Sequence, residues 1–95
     1  STVAAIRRKG NNIYVSNRGH DSISVFGFEN GTLYLKSHVM CCGKSPRDIN
    51  IIGNYMFSTN ELTDNVTVFE IEEDGALRKV DNEIKIPSPV CVLSN

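Results

Sequence analysis

The chain has 95 residues, of which 40% are hydrophobic and 22% charged, and its net charge is -1. That length allows one small domain with a thin core that covers roughly 60–65% of the unfolded surface. The charge balance excludes an extended nucleic-acid or anionic-membrane surface, but small anionic substrates need only a local pair of cations.

In chain order, Val3 to Arg8 is expected as a first strand and Ile13-Tyr14-Val15-Ser16 as a second. Ser22 to Phe28 alternates, with Ile23 and Val25 on one face and Phe26 on the other. Glu29-Asn30-Gly31 signals a turn, and Leu33 to Val39 follows as a polar, outer-looking strand. The same succession then recurs as Arg47 to Ile52, Tyr55-Met56-Phe57-Ser58, Asn65 to Ile71, the turn Glu73-Asp74-Gly75, and Leu77 to Ile86. A last run, Pro89 to Leu93, stands where a further copy begins. No stretch carries a persuasive helical period, and no apolar run approaches the ~20 residues of a membrane span. Ser1-Thr2-Val3-Ala4-Ala5 lacks both an initiator Met and the pattern of a signal peptide, which suggests a cut or processed start.

The recurrence is a true repeat. Shifted by 43 residues, Ile6 falls on Ile49, Gly10 on Gly53, Asn17 on Asn60, Asp21 on Asp64, Val25 on Val68 and Phe26 on Phe69. One extra residue then enters, so Gly31 meets Gly75, and the register returns at Ser45-Pro46 and Ser88-Pro89. Four strands in a period of ~40–45 residues match a β-propeller blade. The expected fold is therefore all-β: residues 1–43 form one four-stranded antiparallel blade, residues 44–86 a second, and residues 87–95 a closing strand that completes an absent blade. A ring typically takes about 4–8 blades, so this order implies further blades, and exposed edges and faces must be covered by them or by oligomeric contacts.

A meander of this kind brings two connections to one end of the blades: Asn17-Arg18-Gly19-His20-Asp21-Ser22 and Cys41-Cys42-Gly43-Lys44-Ser45-Pro46-Arg47-Asp48. Both are rich in titratable groups and would lie near the mouth of the ring. The repeat separates construction from function. Residues present in both copies, Asn17 with Asn60 and Asp21 with Asp64, are expected to make turn and capping hydrogen bonds. Residues unique to one copy are the functional candidates: Arg18 stands opposite Glu61, His20 opposite Thr63, Lys44 opposite Pro87 and Arg47 opposite Val90. Each also has a plainer reading, namely an ion pair of Arg18 with Asp21 or Asp48, a solvated His20 or Lys44, and an ion pair of Arg47 with Asp48 or a neighbouring blade. Cys41, Cys42 and Cys91 form no disulfide framework or metal set, and read as reduced thiols of a cytoplasmic protein.

The segments Tyr14-Val15-Ser16-Asn17-Arg18-Gly19-His20-Asp21-Ser22-Ile23 and Gly43-Lys44-Ser45-Pro46-Arg47-Asp48, with the ending Pro87-Ser88-Pro89-Val90-Cys91-Val92, resemble the bacterial lactonase family of seven-bladed propellers, which includes propeller-type 6-phosphogluconolactonases. The resemblance implies a C-terminal portion of a chain three to four times longer that hydrolyses 6-phosphoglucono-1,5-lactone in the pentose phosphate pathway without metal or other cofactor. It matches Arg18 to a family site arginine in the Asn-Arg motif and Arg47 to a recurrent Pro-Arg, and places the family's other acid/base His and Glu in earlier blades. The residues themselves point to Arg18 and His20 as catalytic and to Arg47, Lys44 and Asn17 as substrate-binding. The expected partners are a sugar lactone or phosphosugar and the remaining blades, with no nucleic acid and no membrane, and the chain alone is expected to be inactive. Two alternatives stay open: a non-catalytic propeller platform, and a muconate-type lactonising cycloisomerase.

Overall fold

Two antiparallel meanders follow from the alternating strands and their turn chemistry. The structure is a computed structural model in which residues 3–80 are described in full, together with the backbone of Thr2 and of Ile84–Lys85. The first sheet runs in order through β1 (Thr2–Lys9), β2 (Asn12–Arg18), β3 (Ser22–Glu29) and β4 (Thr32–Met40). The second runs through β5 (Pro46–Ile52), β6 (Tyr55–Asn60), β7 (Asn65–Ile71) and β8 (Leu77–Lys79), with β9 (Ile84–Lys85) also paired to β7. The only helical element among the described residues is a 3-10 turn over Glu61–Thr63.

The 43-residue repeat is preserved pair by pair. Ile13 pairs with Phe26 as Met56 pairs with Phe69, and Asn17 pairs with Ser22 as Asn60 pairs with Asn65. Both first strands carry a bulge at the same place, between Val3 and Ala5 and between Pro46 and Asp48. The extra residue of the second copy lies in its β7–β8 turn. The β3–β4 turn has two left-handed residues, Asn30 (φ 52°) and Gly31 (φ 76°), the arrangement that matches strand twist in a two-residue hairpin. In the β7–β8 turn Gly75 N–H donates to Glu72 O (2.9 Å), and Gly75 alone turns left-handed (φ 91°). This is a longer loop that ends on the glycine, and Glu72 N–H closes it onto Ala76 O (2.9 Å).

The fourth strand of the second copy differs from the expected continuous run of Leu77 to Ile86. It is split into β8 and β9, with Val80 N–H donating to Val68 O (2.9 Å) beyond the end of β8. Its register against β7 slips from Phe69–Lys79 to Val66–Ile84. The corresponding strand β4 absorbs a single bulge, opposite Val25 and Phe26. The expected closing strand, Pro89 to Leu93, lies outside the described residues.

The core lies between the sheets. Ala5, Tyr14, Ile23 and Val25 share one face of the first sheet and pack with Ile49, Met56, Phe69, Ile71 and Leu77 of the second. These are opposite faces of the repeat unit, so the sheets stack front to back as propeller blades do. Polar ties cross the seam as well, among them a hydrogen bond from Lys36 Nζ to Asp74 O. The buried Tyr14 hydroxyl donates to Gly75 O (2.7 Å), and Arg7 Nη2 donates to Asp48 Oδ1 (2.7 Å).

Candidate functional site: the loop end of the two sheets

Three segments meet at one end of the sheets: the β2–β3 turn (residues 19–21), the β4–β5 connection (residues 41–45) and the β6–β7 turn (residues 61–64). Asp21 joins the first two, since its Oδ1 accepts from Gly19 N–H (3.3 Å) and Ser45 N–H (2.9 Å), and its carbonyl accepts from Cys41 N–H (3.0 Å). The connection is then laced to the third segment. Glu61 N–H donates to Ser45 O (2.9 Å), Leu62 N–H to Lys44 O (3.1 Å), and Lys44 N–H to Thr63 Oγ1 (3.0 Å). Among the described residues, Asp21, Cys42, Ser45 and Asp64 hold left-handed conformations at this end, and of non-glycine residues only Asn30 does so at the other. Such strain persists only where surrounding contacts over-determine the backbone.

A buried polar clamp fixes the connection to the second sheet. Asn60 Nδ2 donates to Thr67 Oγ1 (2.9 Å) and Cys41 O (3.4 Å), Thr67 Oγ1 donates to Cys41 O (2.6 Å), and Asn65 Nδ2 donates to Cys42 O (3.2 Å). Gly43 passes so close that a Cβ there would stand 2.5 Å from Asn60 Nδ2. Asn17 occupies the Asn60 position of the first sheet and donates to Ser24 Oγ (2.9 Å), the repeat partner of Thr67. The sequence expectation of turn caps at Asn17 and Asn60 is therefore corrected. Both amides donate mainly to the neighbouring strand, with Asn60 also bonding Cys41 O of the connection and Asn17 also reaching Ser22 Oγ (3.4 Å), and Asn60 makes no cap bond to its own turn. Asp21 does act as a turn residue.

Of the predicted site residues, His20 and Lys44 lie in these segments, and Asn17, Arg18 and Arg47 lie at the ends of the strands that flank them. Arg18, at the end of β2, is exposed and makes no ion pair among the described residues; the expected partners are engaged elsewhere, Asp48 by Arg7 and Asp21 by backbone amides. His20 is exposed, with Nδ1 2.7 Å from Ser22 Oγ and its ring 6.1 Å from that of His38. Lys44 presents an exposed side chain on a backbone bonded at both N–H and C=O. Arg47 is the extra residue of the β5 bulge, and its Nη1 donates to Glu61 Oε2 (2.7 Å) instead of to Asp48. A bulge re-aims its side chain, which explains why Arg47 turns to the loop end. Asn17 is half-buried with its amide committed within the sheet.

Sequence reasoning missed Glu61. The signal was available, since Glu61 stands where Arg18 stands in the other copy, and a charge reversed at one repeat position marks both partners. Cys41 is buried, and burial pushes its thiol up to about 11, so it is no nucleophile at neutral pH. Among the described residues no group of three His, Cys, Asp or Glu stands together to hold a metal, and no helix is long and apolar enough to cross a membrane. A cavity of about 240 Å³, lined by Arg8, Gly10, Asn11, Ile13 and Phe28, lies at the opposite end of the first sheet and holds none of the candidate residues.

The chain is 36% identical over 92 residues to a 6-phosphogluconolactonase of Bacillus subtilis, covering 92% of this chain and 26% of that protein. A solved Lactobacillus plantarum protein matches with a TM-score of 0.86 at 30% identity, over 90% of this chain and 27% of that one. The Pseudomonas aeruginosa periplasmic gluconolactonase PpgL matches with a TM-score of 0.85 over 92% of this chain and 26% of that one; at 23% identity that likeness concerns the fold. The chain thus spans about a quarter of the length of these proteins. Residues 1–94 match the family model described as lactonase, 7-bladed beta-propeller. With two propeller-type sheets stacked front to back and a polar loop end, the chain belongs to the lactonase family of seven-bladed β-propellers.

Proposed function

We propose that this chain supplies part of the active site of a lactone hydrolase acting on 6-phosphoglucono-1,5-lactone, in the pentose phosphate pathway and in the cytoplasm. The observation that carries this reading is the meeting of the Arg18–Asp21 turn, the Lys44–Arg47 connection and the Glu61 turn at one end of a lactonase-family fold. Arg47 and Lys44 bind the substrate's phosphate or carboxylate, the former through its planar fork. Arg18, free of carboxylate partners among the described residues, stabilises the negative charge that develops on the lactone carbonyl oxygen. His20 has Nδ1 2.7 Å from Ser22 Oγ; in the tautomer that donates Nδ1–H to that hydroxyl, Nε2 is left to take the proton of an attacking water. The C1–ring-oxygen bond then breaks, the ring oxygen receives that proton, and the open-chain acid is released. No cofactor enters these steps. The free, buried Cys41 thiol suits a reducing compartment.

The complete site rests on further blades. Residues 1–43 and 44–86 are read as two blades and residues 87–95 as a strand that completes another. Hydrolysis of 6-phosphoglucono-1,5-lactone by the full-length protein tests the reading. Arg18→Ala is expected to lower kcat/KM about a hundredfold, or about 3 kcal/mol. Wild-type turnover in that variant removes Arg18 from the site. Turnover of cis,cis-muconates instead of sugar lactones assigns a cycloisomerase, and no acceleration with either class assigns a binding platform.

A further inference from the structure

We infer that Glu61 is a positioning residue, holding the Arg47 guanidinium by one nitrogen so that its other edge is presented to the substrate's anionic group. This rests on the reading of Arg47 as a substrate-binding residue. The bond is one-sided. Nη1 meets Glu61 Oε2 at 2.7 Å, and Nε and Nη2 of Arg47 make no hydrogen bond among the described residues. An arginine gripped in this way keeps a pair of parallel N–H donors for a carboxylate or phosphate, the arrangement that gives bidentate recognition its specificity.

Both partners stand on fixed backbone. Arg47 is the extra residue of the β5 bulge, and Glu61 begins a 3-10 turn whose first two amides are bound by Ser45 O (2.9 Å) and Lys44 O (3.1 Å). The pair is partly exposed, at 47% for the Arg47 side chain and 35% for Glu61, so it contributes little to stability and its value is geometric. The repeat supplies the contrast. The first copy has Arg18 at the Glu61 position and Ala4 at the bulge, so the pair belongs to the second copy alone.

The test uses the full-length protein carrying Glu61→Ala, Arg47→Ala and both changes. It follows hydrolysis of 6-phosphoglucono-1,5-lactone, calorimetric binding of 6-phosphogluconate, and thermal stability. Glu61→Ala is expected to raise KM and weaken 6-phosphogluconate on the order of tenfold, with kcat nearly unchanged, because the lost interaction serves ground and transition states alike. Glu61→Gln, which keeps an acceptor but not the charge, falls between, and the melting temperature stays at the wild-type value. In the Arg47→Ala background, Glu61→Ala adds nothing further, since its effect runs through Arg47. Wild-type KM and binding in Glu61→Ala, where Arg47→Ala is impaired, overturn the inference. So does a Glu61→Ala defect that persists undiminished without Arg47. Unimpaired Arg47→Ala instead removes Arg47 from the site and overturns the underlying reading, as does a wild-type protein that neither hydrolyses the lactone nor binds 6-phosphogluconate.

Discussion

Tyr14 shows how much one atom contributes at the seam between the sheets. Its repeat counterpart is Phe57, so the ring serves the blade in both copies while the hydroxyl is particular to one. Burial, aided by the Asp74 carboxylate, pushes the phenol from 10.0 up to about 12. The folded state therefore favours the neutral phenol. Its contribution is complete below pH 10 and is lost as the pH rises through about 12, amounting to about 2–3 kcal/mol at most. Tyr14→Phe leaves the buried Gly75 carbonyl without this donor and is expected to cost about 1–3 kcal/mol at neutral pH. It should also flatten the loss of stability between pH 10 and 12, as followed by denaturant titration at several pH values. An alkaline profile identical to wild type would mean that Tyr14 is solvated.

At the scale of elements, the loop end is held by what the neighbouring strands present to the connection, rather than by the connection's own composition. Gly43 is required by space: a side chain there meets Asn60 Nδ2 at 2.5 Å, Asn65 Oδ1 at 2.6 Å and Asn60 Cβ at 2.7 Å. Asn60 and Asn65 are buried and bonded to Cys41 O and Cys42 O, so neither can swing away cheaply. Gly43→Ala is expected to destabilise by about 1–3 kcal/mol. A denaturation midpoint equal to wild type would show that the connection can lift off the clamp. The hairpin at Glu29–Thr32 illustrates the opposite case, because Asn30-Gly31 carries its own turn signal and needs nothing from a neighbour.

At the scale of the whole molecule, the same sheet face meets two fates. Ile49 is fully buried and Ile6, at the same repeat position, is 58% exposed; Leu77 is 8% exposed and Leu33 52%. The face of the second sheet is covered by the first, and the equivalent face of the first sheet is exposed, where the further blades proposed above would cover it. Within the 95-residue chain, Ile49→Ala is expected to cost about 2–5 kcal/mol and Ile6→Ala well under 1 kcal/mol. In the longer protein the two costs should converge. If Ile6→Ala stays harmless there by chemical denaturation, no blade lies against that face.

Some of this was written in one dimension. Alternation in Ser22–Phe28, the Asn30-Gly31 turn and the 43-residue overlay depend on residues close in sequence or on their recurrence, so strand order and blade architecture could be read directly. The gathering of Arg18, His20, Lys44 and Arg47 at one end also followed, because a meander alternates its connections between ends. Partners were another matter. Asp48 takes Arg7 rather than Arg18 or Arg47, and Arg47 takes Glu61. Asn17 and Asn60 bond across strands instead of capping turns, and the fourth strand of the second copy breaks in two. Each of these depends on how sheet twist, a bulge and the front-to-back stacking aim side chains across distances that sequence spacing does not encode, and only the tertiary structure decided them.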